Sequence, residues 1–122
     1  MSFYQNKTAF ITGGSTGIGL AVAKALAIEG SNVVIFARTI NKLESAVNEI
    51  KAVQKNKSQK VYYYSVDTSD NNDVKTVFEK AILENGIPDI LINCVGLSPI
   101  YKSSFQQIKL SFRLCESYVS QI

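Results

Sequence analysis

Apolar positions along this chain switch between two periods, and that alternation predicts its elements. Thr8-Ala9-Phe10-Ile11 is a short continuous apolar run, as expected of a strand covered on both faces. Gly13-Gly14-Ser15-Thr16-Gly17 breaks the run. From Ile18 the spacing turns helical: Ile18, Val22, Ala25, Leu26 and Glu29 are predicted to share a face, with Gly30 as the stop. Val33-Val34-Ile35-Phe36-Ala37 predicts a second buried strand. A second helix is expected from Asn41, with Leu43, Ala46, Val47, Ile50 and Val53 on its inner face. Residues 54–60 are polar and read as a loop.

Val61-Tyr62-Tyr63-Tyr64-Ser65-Val66 predicts a third strand, rich in aromatic and branched side chains. Ser69 or Asp70 is placed to cap a third helix, with Val74, Val77, Phe78, Ala81 and Ile82 facing inward. Gly86 ends that helix and Pro88 prevents its resumption. Asp89-Ile90-Leu91-Ile92-Asn93-Cys94-Val95 predicts a fourth strand.

Apolar strands alternating with amphipathic helices imply an α/β fold with a parallel sheet covered on both faces. Right-handed crossovers leave few arrangements. The favoured one is a truncated, Rossmann-type doubly wound sheet with strand order 3-2-1-4. Residues 1–98 are read as this half-domain and residues 99–122 as a divergent tail. In the tail, Phe105, Ile108, Phe112, Cys115, Val119 and Ile122 form one face of an expected helix, which Leu110, Leu114 and Tyr118 blur.

Composition narrows the picture. With 122 residues the chain suits one small domain, and 46% of its residues are hydrophobic, enough for a packed core. The formal charge of +3 is too mild to argue for a nucleic-acid partner. Lys51, Lys55, Lys57 and Lys60 read as a solvated helix end and loop. Two cysteines and no histidine give neither a disulfide framework nor a metal site, so a reducing, cytoplasmic setting is expected. Residues 1–7 lack the apolar core of a signal peptide, and no apolar run reaches the roughly 18 residues of a membrane span.

The segment with most chemical content is Thr12-Gly13-Gly14-Ser15-Thr16-Gly17-Ile18-Gly19, between a buried strand and a helix. A phosphate-binding turn belongs in that position. A diphosphate must approach the backbone closely, which side chains at Gly13 and Gly17 would obstruct. Free N–H groups and the positive end of the following helix then stabilise the anion. Ser15 and Thr16 add hydroxyl donors, and Gly19 lets the helix pack tightly on the strand. The plain alternative is a glycine-rich turn with no ligand.

The T-G-x-x-x-G-I-G spacing resembles the short-chain dehydrogenase/reductase family. Asp67 follows the third strand, where the family has an acid that contacts adenine. Asn93-Cys94-Val95-Gly96 ends the fourth strand, where the family carries an N-N-A-G-like motif. The resemblance covers roughly residues 7 to 98. Asp67 has a second reading as a cap for the next helix. Asn93 is also read as a brace between strands as well as a cofactor neighbour, and Cys94 as a small core residue.

Cofactor choice follows from charge. An acid at the end of the second strand would accept hydrogen bonds from a ribose 2′-hydroxyl and repel a 2′-phosphate. That strand instead ends Phe36-Ala37-Arg38, and Lys42 lies one helical turn further on. A guanidinium can hold a phosphate through its planar fork. NADPH is therefore expected over NADH, held by Gly13, Ser15, Thr16, Gly17, Ile18, Arg38, Lys42, Asp67 and Asn93.

The family's chemistry uses a Tyr-x-x-x-Lys pair and a preceding serine. None of the six tyrosines here is followed by lysine four places later. No catalytic residue is nominated. The expectation is an incomplete reductase, with a nucleotide-binding module without turnover as the alternative. Within the family, the cues Ala37-Arg38 with Lys42, Ser65-Val66-Asp67 and Asn93-Cys94 most resemble 3-ketosphinganine reductases. That resemblance implies a lipid-like ketone substrate and work at the cytosolic face of the endoplasmic reticulum. Other short-chain carbonyl reductases share these cues, and a homo-oligomer is compatible with them.

Overall fold

A computed structural model of the chain describes residues 3–67 and 70–94. Four parallel strands form its sheet: β1 (Thr8–Thr12), β2 (Asn32–Ala37), β3 (Val61–Ser65) and β4 (Ile90–Asn93). Their order is β3-β2-β1-β4, as the alternation of strands and helices predicts. Between them run α1 (Gly17–Ile28), α2 (Ile40–Val53) and α3 (Asn71–Asn85).

The continuous apolar runs are explained by helices on both faces. Ala9 and Ile11 of β1, with Val33 and Ile35 of β2, pack with Ala23, Leu26 and Ala27 of α1 and Leu43, Ala46, Val47 and Ile50 of α2. The alternate residues Phe10, Val34 and Phe36 pack with Val74, Phe78, Ala81 and Ile82 of α3. Phe36 stacks on Phe78 with centroids 4.5 Å apart, and Phe10 tilts against both rings. Each fully buried ring of this kind stabilises the fold by about 1.5–3 kcal/mol through removal from water.

The inner faces of α2 and α3 match the spacing of their apolar residues. That of α1 does not. Ile18, Ala25 and Glu29 are exposed, while Gly19, Ala23, Leu26 and Ala27 are buried. Eleven of the twelve residues in Gly17–Ile28 are apolar or glycine, so hydrophobicity barely distinguishes one side from another. Close approach decides the face. A Cβ on Gly19 would stand 2.1 Å from the Gly13 carbonyl oxygen, so α1 turns its smallest residues toward the sheet and its large Ile18 outward.

The third helix starts where its cap requires. The Asp70 side chain accepts hydrogen bonds from the N–H groups of Asn72 and Asp73, and Gly86 closes the helix with φ near 83°. The helical face expected beyond Phe105 lies outside the described residues.

Candidate functional site

Parallel strands put all their carboxyl ends on one edge, and the register makes that edge level. Thr12 pairs with Phe36 on one side and Asn93 on the other, and Ala37 pairs with Ser65. The ladder extends one step past the strands. Gly13 N–H donates to the Phe36 carbonyl (2.8 Å), Val66 N–H to the Ala37 carbonyl (2.8 Å) and Cys94 N–H to the Thr12 carbonyl (3.0 Å). The glycine turn, Arg38, Asp67 and Asn93 therefore emerge together from four adjacent strand ends. β1 lies where the chain changes direction across the sheet, with β2 on one flank and β4 on the other. Ligands of open α/β sheets bind at such a switch point.

The turn is open to solvent at the start of α1. Gly17 sits at φ 58°, a conformation that side chains disfavour, and a Cβ there would meet nothing within 4 Å. The backbone at this position is thus open outward. Thr16 is the N-cap of α1, yet its hydroxyl makes no capping hydrogen bond. The first turn of α1 contains no acid, so the positive end of the helix is not offset from within. Ser15 is half-buried, and Ile18 is 78% exposed at the first step of the helix.

Arg38 and Lys42 are both exposed. Neither has a side-chain hydrogen bond or ion pair among the described residues, where Lys24–Glu49 is the ion pair present. The first turn of α2 also lacks an acid. Ser65 holds this corner from the neighbouring strand: its hydroxyl donates to the Arg38 carbonyl at 3.0 Å.

Asp67 is half-buried in the turn between β3 and α3. Its N–H donates to the Asp73 carboxylate (2.7 Å), and its carbonyl accepts from Asp70 N–H (3.1 Å). At the opposite flank, the Thr12 hydroxyl donates to the Asn93 side-chain oxygen at 2.8 Å. This is the strand brace read from the sequence; it fixes the amide of Asn93 at the carboxyl edge. Cys94 is half-buried with a free thiol.

Three positioning residues escaped the sequence reading: Thr12, Ser65 and Asp73. Each holds a candidate residue by a hydrogen bond. The only available signal was for Asp73, an acid three places after the Asp70 cap. Thr12 and Ser65 act across strands, and such pairs appear only once the register is known.

The tyrosines of β3 lie on the outer edge of the sheet. They help line a groove of about 500 Å³ together with Val47, Lys51, Val61 and Glu84. Burial, followed by a hydrogen bond to Glu84, pushes the Tyr64 hydroxyl up to about 12. Tyr63 is also raised, by desolvation and by the charge of Glu44. A hydroxyl held protonated in this way suits packing, not proton transfer.

Comparison with known sequences agrees with this arrangement. The short chain dehydrogenase profile matches residues 7–115. The chain belongs to that family. It is 39% identical over 94 residues to an uncharacterised oxidoreductase of Mycobacterium tuberculosis, covering 77% of this chain and 27% of the relative. It is 40% identical over 95 residues to a 3-ketodihydrosphingosine reductase of Aspergillus fumigatus, covering 75% and 26%.

Among solved structures, a short-chain dehydrogenase/reductase from Mycobacterium ulcerans superposes with a TM-score of 0.72 at 31% identity, covering 80% of this chain and 35% of that one. L-sorbose reductase from Gluconobacter frateurii, solved with NADPH and L-sorbose, superposes at 0.74 with 28% identity, covering 92% and 46%. The chain thus spans about a quarter to a half of the length of these relatives.

Proposed function

We propose that this short-chain dehydrogenase chain is the NADPH-holding portion of a carbonyl reductase whose substrate is the ketone of a long-chain sphingoid base. One observation carries the cofactor reading. An outward-open turn at the start of α1 stands beside a strand end that presents a cation, Arg38, where an acid would select the unphosphorylated cofactor.

The residues fit the group. The Thr16 hydroxyl is not consumed by capping, the Arg38 guanidinium has no partner among the described residues, and the Gly17 backbone faces open space. In this reading Gly13, Ser15, Thr16, Gly17 and Ile18 hold the diphosphate through N–H and hydroxyl donors. Arg38 and Lys42 bind the 2′-phosphate, with Ser65 holding the Arg38 main chain in place. Asp67 faces the adenine, its turn fixed by Asp73. Asn93, held by Thr12, stands beside the cofactor at the β4 end. Bound there, NADPH supplies a hydride for delivery to a ketone carbon. No residue of this chain is assigned to the accompanying proton transfer.

Support for the sphingoid substrate is the company of relatives. Proteins named 3-ketodihydrosphingosine reductase from Aspergillus fumigatus and Neurospora crassa, and a fusion protein of that name from Schizosaccharomyces pombe, match at 35–40% identity. Action at the cytosolic face of the endoplasmic reticulum follows from that substrate.

The cofactor reading is tested by Arg38→Glu. Removing charge-assisted hydrogen bonds and adding repulsion costs about 1.5–3 kcal/mol, so NADPH binding should weaken by roughly 10- to 100-fold while NADH binding holds or improves. Unchanged discrimination between the two cofactors would refute the assignment. The substrate reading is tested separately, by NADPH oxidation with 3-ketosphinganine in a protein carrying this chain and the remainder of the family fold. Turnover of unrelated ketones but not of that one contradicts it.

A further inference from the structure

Everything that precedes a strand in a parallel sheet lies at the amino edge, opposite the nucleotide site. Lys7 precedes β1 and Lys60 precedes β3, so both stand at that edge. The turn 54–60 is fastened there as well. Lys55 N–H donates to the Ala27 carbonyl, and the Gln59 amide donates to the carbonyls of Ala27 (2.9 Å) and Ser31 (2.7 Å). The bond from Gln59 N–H to the Asn56 carbonyl leaves Lys57 at the apex of this turn.

The amino-terminal segment is tied to the same place. The Ser31 hydroxyl donates to the Tyr4 carbonyl at 2.6 Å, Asn6 N–H donates to the Gly30 carbonyl, and the Lys55 ammonium reaches Gln5 at 3.4 Å.

This convergence presents two aromatic rings to solvent at the same edge as four lysines. Phe3 is 73% exposed and Tyr4 42%, packed edge to face with centroids 5.4 Å apart. The Lys7 ammonium sits 5.4 Å from the Phe3 ring centroid. Lys55, Lys57 and Lys60 are exposed. The acids at this end include Glu29, exposed in the turn after α1, Glu84 in the last turn of α3, and Asp89 by β4, which accepts a hydrogen bond from Thr8 N–H; Lys7, Lys55, Lys57 and Lys60 outnumber them. The sign of the aromatic corner is therefore positive.

We propose that the amino edge of the sheet, through Phe3, Tyr4, Lys7, Lys55, Lys57 and Lys60, docks on an anionic lipid surface. Charge complementarity selects that surface: ammonium groups meet acidic headgroups while exposed rings enter the headgroup boundary. Clustered lysines near an acidic bilayer are attracted within about a Debye length, so binding is reversible and salt-sensitive. The docking leaves the opposite edge, with its nucleotide site, directed away from the lipid. It stands whether or not the cofactor reading holds, because no residue is shared between the two edges.

The test is co-sedimentation of the whole chain with phosphatidylcholine vesicles, with and without phosphatidylserine. Binding is expected on the acidic vesicles, reduced at high salt, and absent on the neutral ones. The triple variant K55Q/K57Q/K60Q should bind the acidic vesicles at least about tenfold more weakly. F3S should also weaken binding, with no change in charge. K75Q/K80Q, on the exposed side of α3, should bind like the parent. Circular dichroism melts confirm that each variant is folded. Equal binding to both vesicle types, or equal loss in K75Q/K80Q, overturns the proposal, as does lysine-dependent capture of an RNA or acidic polypeptide with no vesicle binding.

Discussion

At the residue scale, the two glycines of the turn do different work, and substitution separates them. A methyl group on Gly19 would collide with the Gly13 carbonyl, backbone that cannot swing aside, so either α1 or the turn must shift. Overpacking of this kind costs about 1–3 kcal/mol. Gly17→Ala meets no atom, yet it forces alanine to φ 58°, at a cost of about 1–2 kcal/mol. Urea denaturation should therefore show both variants destabilised. Gly19→Ala alone should also disturb amide signals of Gly13 and Gly14; equal effects on those signals would contradict the contact. Sequence spacing made both glycines legible as parts of a phosphate turn, but not Gly14, which packs against the Ile35 side chain and is buried for structural reasons. The bracing role of Asn93 was legible; its partner Thr12 was not, because a cross-strand hydrogen bond has no trace in linear spacing.

Tyr64 gives a pH dependence with a definite sign. Its hydroxyl is raised to about 12 in the folded chain, mainly by burial, from an ordinary value of 10.0. The folded state then keeps a proton that the unfolded chain gives up. The stabilisation is fully present below pH 10 and is lost as pH rises from about 10 to about 12. Melts across that interval should show a smaller alkaline loss for Tyr64→Phe than for the parent. An identical alkaline decline would show that other groups dominate.

At the scale of elements, legibility followed amphipathicity. In α2 the polar residues Glu44, Ser45, Asn48 and Glu49 separate Leu43, Ala46, Val47 and Ile50, so the inner face could be read directly. In α1 almost every position is apolar, and the face was set by steric fit against β1 and the turn. The start of α3 was legible because Asp70 is a strong cap whose carboxylate collects two N–H groups. Asp70→Ala should cost about 1 kcal/mol, measured by denaturant unfolding. Phe78→Ala should cost more, about 3–5 kcal/mol, since it removes a ring stacked on Phe36 and touching Phe10. If the cap variant proved the more damaging of the two, the assignment of the α3-side core to these rings would be wrong.

For the whole molecule, the alternation of buried strands and helices was enough to give the sheet order, since parallel strands with helical crossovers admit few topologies. Fold order in turn brought the candidate residues to one edge, even though Gly13 and Asn93 stand eighty positions apart. Substrate identity is a different kind of property. It depends on side chains that contact the substrate, which strand order and turn spacing do not encode. The chain covers about a quarter to a half of the length of its relatives. Strand direction separates the carboxyl edge, where the candidate residues gather, from the amino edge, where the hydrogen bonds of residues 3–7 and 54–60 gather the aromatic and basic side chains.

The proposed function requires the turn opening α1, with Arg38 beside it, to grip the diphosphate and 2′-phosphate of NADPH. Amide resonances of the isotopically labelled, folded chain, followed during NADPH titration, test it most directly. Saturable shifts are expected at Gly13, Gly17, Ile18 and Arg38, with weaker shifts for NADH and none at Lys7, Asn56 or Gln59 on the opposite edge. Resonances of the turn that stay fixed at saturating NADPH, or that respond equally to both cofactors, would contradict it.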